Sequence, residues 1–197
     1  STCDATVTVE DSIDPTLTTT DITIQLDGLG NATIVPADVT ATTADNCGTP
    51  LVTVDVTGFD CSTTGSNTVN VTSTDASGNS ITETALVTVQ DTELPQITCP
   101  SDITVSNDAG VCDAVVTYSA PLGTDNCSSP VTTLTAGLAS GSTFPLGTTV
   151  VTYIVTDATG NTADCSFNVT VEDTEQPVVA CIGDVTVDFD VNCDFTF

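Results

Sequence analysis

The sequence predicts an all-β chain of small sandwiches repeated in series, on three observations. The first is composition. Thr (42) and Val (26) make up about a third of the 197 residues, and both are stiff, β-branched side chains suited to a pleated, half-buried surface. The second is period-two patterning: Val52, Val54 and Val56, then Val69 and Val71, then Phe167, Val169 and Val171, the alternation of a strand with one buried face. The third is an internal repeat. Val7-Thr8-Val9-Glu10-Asp11 returns as Val87-Thr88-Val89-Gln90-Asp91 and as Val169-Thr170-Val171-Glu172-Asp173, at steps of 80 and 82 residues. Asp45-Asn46-Cys47 returns as Asp125-Asn126-Cys127, and Thr74-Asp75-Ala76-Ser77-Gly78-Asn79 as Thr156-Asp157-Ala158-Thr159-Gly160-Asn161. Asp21-Ile22-Thr23-Ile24 matches Asp102-Ile103-Thr104-Val105 and Asp184-Val185-Thr186-Val187. Four landmarks in one register mark a repeat that sets the architecture.

The register divides the chain into the closing strand of a preceding unit (1–10), a full unit (11–90), a second (91–172) and the opening of a third (173–197). A unit of this size suits a small sandwich. The Gly-containing stretches ending at Asn79 and Asn161 fall between strand-like runs and read as hairpin loops. Pro15, Pro95 and Pro177 each stand four residues after a boundary Asp, marking short, stiff linkers. Sandwiches joined in this way predict an extended rod. Ser1 and the interrupted end units lead to the expectation of a mature or excised piece of a longer chain.

Charge removes most functions. The chain has 27 carboxylates, no Lys, Arg or His, and a formal charge of −27. Nucleic-acid binding needs cationic side chains that displace counterions, and docking on an anionic membrane needs the same. A His base, a Lys Schiff base and an Arg clamp are all excluded. At 39% hydrophobic residues the chain is too apolar for a solvated acidic tail. No apolar run approaches the roughly 20 residues of a membrane helix. No enzyme is expected: paired carboxylates could serve glycoside hydrolysis, but nothing singles out one acid, and sugar platforms are scarce with two Tyr, six Phe and no Trp.

Nine cysteines indicate an oxidising, extracytoplasmic compartment. A sandwich of about 80 residues is marginal alone, and each bridge adds on the order of 2–4 kcal/mol. Within 11–90 only Cys47 and Cys61 are available to pair. The second unit holds Cys99, Cys112, Cys127 and Cys165, which allow three connectivities. Cys99 and Cys165 each lie four residues before an apolar strand position, Ile103 and Val169. Parallel pairing of those strands would bring the two sulfurs together and favours Cys99–Cys165 with Cys112–Cys127. Partners for Cys3, Cys181 and Cys193 are expected outside this stretch or on a neighbouring subunit.

The second unit resembles the hyalin repeat (HYR) domain. The similarity runs from Pro95-Gln96-Ile97-Thr98-Cys99-Pro100 through Asp125-Asn126-Cys127 to Gly141-Ser142-Thr143-Phe144-Pro145-Leu146-Gly147-Thr148-Thr149-Val150-Val151-Thr152-Tyr153. It closes with Thr156-Asp157-Ala158-Thr159-Gly160-Asn161-Thr162-Ala163-Asp164-Cys165. The first unit departs from it, with Thr19, Ala32 and Glu83 where the second has Cys99, Cys112 and Cys165; it is similar to a variant of secreted bacterial multi-repeat proteins. The resemblance implies tandem immunoglobulin-like sandwiches, extracellular adhesion and surface architecture, and no catalytic residues.

In an immunoglobulin-like topology the Asp-Asn-Cys loop, the last hairpin loop and the incoming linker gather at one pole. That collects Asp11, Asp14, Asp45, Asn46, Asp75 and Asn79 in the first unit, and Asp91, Glu93, Asp125, Asn126, Asp157 and Asn161 in the second. Carboxylate, amide and carbonyl oxygens in such mixtures are Ca²⁺ ligands, and the chain offers no cation of its own to relieve their repulsion. Ca²⁺ at each junction is therefore expected, set against ordinary turn roles for Asp and Asn. Four glycosylation sequons stand at Asn31, Asn70, Asn126 and Asn168, about the number this composition gives by chance. The expectation is a segment of a bacterial extracellular fibre or adhesin stalk, disulfide-stiffened and associating with itself head to tail. The alternative is a module that binds surface glycans or proteins through its loops.

Overall fold

The computed structural model describes residues 3–180 and Gly183. Cys181, Cys193 and the strand expected at 184–187 lie outside the described residues. The first half contains β1 (Thr16–Thr19), β2 (Ile22–Gln25), β3 (Asn31–Thr33), the single helical turn α1 (Pro36–Val39), β4 (Thr40–Ala44), β5 (Leu51–Val54), β6 (Gly58–Asp60), a 3₁₀ turn (Cys61–Thr63), β7 (Gly65–Thr74) and β8 (Ser80–Gln90). The second contains β9 (Ile103–Ser106), β10 (Asp113–Val116), β11 (Val131–Ala136), β12 (Ser142–Pro145), β13 (Gly147–Thr156) and β14 (Thr162–Glu172).

Each half is an immunoglobulin-like sandwich with its own core. One sheet runs β2-β8-β7-β5 and its counterpart runs β9-β14-β13-β11. The opposing layer is built from the pairs β1–β4 and β3–β6 in the first half and β10–β12 in the second, where an isolated bridge between Gln96 and Thr124 stands near the incoming linker. Alternation places Val69, Val71, Val87 and Val89 against Leu17, Val39 and Phe59 in one core. Val151, Phe167, Val169 and Val171 meet Ala114 and Phe144 in the other. The run beginning at Val52 is shorter than its periodicity predicts: β5 ends at Val54 and Val56 is exposed. Pro36 begins α1, whose turn carries Val39 into the core while the Asp38 carboxylate accepts the Val35 N–H at 2.7 Å. Residues 3–10 form no strand, and Val7 and Val9 are exposed.

The two long hairpins fix the poles. β7 and β8 pair antiparallel through ten residue pairs, as do β13 and β14, so the intervening loops project from the same end of each sandwich. β9 runs parallel to β14 with Ile103 opposite Val169, and a disulfide joins Cys99 to Cys165 beside that register. The other disulfide corrects two pairings expected from sequence. Cys61 is bonded to Cys127, with Cα atoms 5.5 Å apart, so neither Cys47–Cys61 nor Cys112–Cys127 forms. The expected pairings assumed bonds within one unit. Cys61 instead follows β6 at the far pole of the first sandwich, where the second sandwich's Asp-Asn-Cys loop is seated, and Cys127 is buried against the first core. Cys47 and Cys112 are exposed free thiols.

Candidate cation sites at the sandwich poles

Three segments meet at the entry pole of the first sandwich: the linker at Asp11, the Asp45-Asn46-Cys47 turn and the β7–β8 hairpin loop. Carboxylate oxygens of Asp11, Asp45 and Asp75 lie within 4.8 Å of one another. Local hydrogen bonds aim them. Asp11 Oδ1 accepts the Ile13 N–H (3.2 Å), Asp45 Oδ2 accepts the Cys47 N–H (2.8 Å), and Asp75 Oδ1 accepts the N–H groups of Ser77, Gly78 and Asn79. These are the short-range turn bonds that make Asp common in such loops. Asn79 ties two segments together, its Nδ2 donating to Asp75 Oδ2 at 2.7 Å and to the Asp11 carbonyl at 3.1 Å.

This bonding leaves Asp11 Oδ2 and Asp45 Oδ1 buried without a hydrogen-bond partner. An ionised oxygen removed from water and left unpaired is costly, and the chain has no cationic side chain to serve it. Burial pushes the Asp75 carboxyl up, but the hydrogen bonds from Asn79, Gly78 and Ser77 outweigh it and hold the group below its ordinary value. The neighbouring Cys47 thiol is pushed up by the Asp11 carboxylate beside it, then by burial and by the charges of Asp45 and Asp75.

The second sandwich repeats the arrangement at the seam with the first. Asp91 and Asp125 approach each other beside Cys127, whose sulfur is taken up by the disulfide and so is no thiolate ligand. Asp125 Oδ2 accepts the Cys127 N–H at 3.0 Å, as Asp45 does for Cys47. Asp125 Oδ1 and Asn126 Oδ1 are buried and unpartnered. Asn126 spans the seam: its Nδ2 donates to the Asp27 carbonyl (3.0 Å) and to Asp91 Oδ1 (3.3 Å). Asn161 Nδ2 donates to the Asp91 carbonyl (3.2 Å) and to Asp157 Oδ2 (2.7 Å). Burial raises the Asp157 carboxyl, yet hydrogen bonds from Asn161 and Thr159 hold it below its ordinary value.

The two poles differ in the hairpin carboxylate. Asp75 joins the first cluster, whereas Asp157 stays outside the second. Thr159 stands where the first unit has Ser77, and its hydroxyl lies 3.1 Å from both Asp157 oxygens and 3.4 Å from the Asp91 carbonyl. Asp14 and Asn46 are exposed, Asn46 lining a groove with Asp11 and Cys47, and the exposed Glu93 lines a groove with Asp125 and Asn126. The sequon amides are engaged: Asn70 Nδ2 donates to Asp55, Asn168 Nδ2 to Asp102 and Asn31 Nδ2 to the Leu29 carbonyl. Sequence reasoning missed Asp27 and Cys61 as seam residues. Asp27 contributes a backbone carbonyl, which no side-chain pattern reports, and Cys61 has no cysteine at the matching position of the second unit.

Residues 90–171 match the family model of the HYR domain. The chain is 38% identical over 126 residues to hyalin of Lytechinus variegatus, covering 61% of this chain and 23% of that protein. It is 37% identical over 128 residues to hyalin of Strongylocentrotus purpuratus, covering 62% of this chain and 10% of that protein. A Rattus norvegicus protein with sushi, von Willebrand factor type A, EGF and pentraxin domains is 36% identical over 91 residues, covering 46% of this chain and 3% of its own length. The chain thus spans less than a quarter of these relatives. All three are animal proteins, which overturns the bacterial setting expected from sequence. Among solved structures, human protocadherin-24 EC1-2 matches 84% of this chain and 100% of its own at a TM-score of 0.37 and 14% identity, too low to support a functional comparison.

Proposed function

We propose, on the premise that residues 90–171 are an HYR domain, that this chain is a structural segment of an extracellular adhesive or matrix protein. Its units, 11–90 and 91–172, stand in series as spacers, with Ca²⁺ bound between neighbouring segments at each pole. The repeated orphan oxygens carry this reading: Asp11 Oδ2 and Asp45 Oδ1 at one pole, and Asp125 Oδ1 and Asn126 Oδ1 at the next. Hard oxygen donors from carboxylate, amide and carbonyl groups are the set that Ca²⁺ takes. The first cluster offers three carboxylates, and the second offers Asp91 and Asp125 with the Asn126 amide oxygen.

The ion would join linker, turn and hairpin loop, so that binding stiffens the approach of one unit to the next. Extracellular placement agrees with two disulfides and with the HYR relatives. A spacing role, not a catalytic one, agrees with a chain that carries no His, Lys or Arg. Titration calorimetry with CaCl₂ tests the cation sites. Wild type should bind with saturating heat, Asp45→Asn should lose the first site and Asp125→Asn the second. Absence of binding by wild type refutes the reading.

A further inference from the structure

We propose that the Cys61–Cys127 disulfide sets the cation affinity of the seam site, by holding the Asn126 amide oxygen in place as that site's third oxygen donor. The inference rests on the Ca²⁺ reading above and deepens it through one internal comparison. The molecule carries the Asp-Asn-Cys turn twice, once with its cysteine bridged and once with it free. The core of the turn is the same in both: Cys47 and Cys127 each donate their N–H to the Asp two residues before, at 2.8 and 3.0 Å. Two features differ.

The first is the asparagine. Asn46 of the free turn is exposed, and the cluster beside it takes its third donor from the hairpin loop, as Asp75. Asn126 of the bridged turn is half-buried. Its Nδ2 donates to the Asp27 carbonyl and to Asp91 Oδ1, and its Oδ1 is buried without a partner. The hairpin carboxylate Asp157 stands outside that cluster, so one third donor has replaced another. The second difference is backbone shape. Ser129 is left-handed at φ +73°, the one non-glycine residue with positive φ among the described residues. Thr49, at the matching place after the free turn, has no such φ. A conformation of that kind persists only where its surroundings fix it.

The bridge is placed to do the fixing. Cys61 Sγ lies 3.8 Å from the Asn126 carbonyl oxygen and 3.7 Å from that of Gly30, so the bonded sulfur backs onto the asparagine's own peptide group. Asp91 and Cys127 are each 6% exposed, and the Cys127 sulfur lies within 4.8 Å of carboxylate oxygens of Asp91 and Asp125. Opening the bridge frees the turn to take the exposed form seen at Asn46, which leaves two carboxylates and removes the amide oxygen. Cys61 and Cys127 are thus positioning residues, not ligands. Groups that orient metal ligands from outside carry roughly 10–100-fold of metal affinity, and the seam site should weaken by about that factor.

Such coupling is reciprocal. A cation that binds the bridged form roughly 10–100-fold more tightly makes the bridge harder to reduce by the same factor, about 30–60 mV for a two-electron couple. A small dithiol reaches the bridge along the groove lined by Cys61, Ser62, Asp91 and Cys127. Its thiolate attacks one sulfur and expels the other cysteine as a thiolate; its second thiol then displaces the first cysteine. The protein disulfide gains two electrons and two protons, and the dithiol becomes a cyclic disulfide.

Calorimetry with CaCl₂ in the Asp45→Asn background reads the seam site alone. There Cys61→Ala/Cys127→Ala, which adds no oxygen donor, should weaken binding by roughly 10–100-fold. Asn126→Ala should weaken it while the bridge is intact and add little once the bridge is gone. In the Asp125→Asn background the first site should bind equally with and without the bridge, which also reports that the bridgeless chain is folded. Reduction of wild type by dithiothreitol, each bridge followed by alkylation and peptide mapping, decides the matter even where that variant does not fold. Saturating CaCl₂ should shift the Cys61–Cys127 midpoint by about 30–60 mV and leave Cys99–Cys165 in place. Equal seam affinity with and without the bridge overturns the proposal alone, as does an Asn126→Ala loss that persists in full after the bridge is removed, or a Cys61–Cys127 midpoint indifferent to Ca²⁺. Absence of any Ca²⁺ binding by wild type overturns it together with the reading on which it rests.

Discussion

Removing each disulfide in turn distinguishes a bond within one unit from a bond between two. Both bridges join residues 66 apart in sequence, and a loop of that length costs the unfolded chain about 4 kcal/mol of closure entropy when bridged. Their structural settings differ. Cys99 and Cys165 both pack against the second core, so Cys99→Ser/Cys165→Ser should lower only the second unit's transition. For a sandwich of this size a loss of about 4 kcal/mol moves that transition down by about 15–30 °C. Cys61 and Cys127 span the seam, and each unit unfolds with its partner still standing as an anchor. Opening the second unit closes a loop of about 36 residues from Asp91 to Cys127, and opening the first closes one of about 30. The logarithmic dependence on length makes these worth about 3.5–4 kcal/mol each. Cys61→Ser/Cys127→Ser should therefore lower both transitions by similar amounts. Differential scanning calorimetry reads the result directly. One transition shifted equally by both double variants would refute the reasoning, since it would mean a single cooperative unit.

Gly30→Ala should hinder the seam, because φ is +76° there and the new Cβ would meet the Cys61 sulfur and the Asn126 carbonyl. A left-handed backbone alone costs an L-residue roughly 1–2 kcal/mol, and oxidative refolding should show slower Cys61–Cys127 formation than in Gly28→Ala, where nothing lies within 4 Å. Phe144→Ala empties a side chain with no exposed surface and should lower the second calorimetric transition by about 3–5 kcal/mol. The Asp75 carboxyl titrates below its ordinary value of 3.8 when folded, so its ionised form stabilises the fold above that pH and loses the effect as pH falls through the folded value. The stability gap between wild type and Asp75→Ala, measured by urea titration, should therefore narrow below about pH 4 and stay constant from pH 5 to 8.

The sheets were legible because their signals are local and repeated. Val69 and Val71, or Phe167, Val169 and Val171, report a buried face at period two, and Asp-x-x-Gly-Asn reports the loop that turns β7 into β8. The parallel register of Ile103 with Val169 was also within reach, since Cys99 and Cys165 stand at equal spacing before these two residues. The seam was not legible. Its bridge joins Cys61 of the first unit to Cys127 of the second, and the second unit has no cysteine at the position matching Cys61. Asn126 and Asp27 meet through an amide and a backbone carbonyl that follow from docking two folded units. The pole clusters were legible in outline, because Asp11, Asp45 and Asp75 belong to recurring motifs. Sequence could not show that Asp75 joins the first carboxylate cluster whereas Asp157 stands apart from the second.

The central claim, that the units stand in series with a cation stiffening each approach, is tested most directly by small-angle X-ray scattering of the Cys47→Ser/Cys112→Ser monomer in CaCl₂ and in EDTA. An elongated particle whose maximum dimension is sharply defined with Ca²⁺, and spread over shorter values after chelation, is the predicted result. Superimposable curves in the two buffers, or a maximum dimension close to that of one sandwich's length with the units side by side, would contradict it.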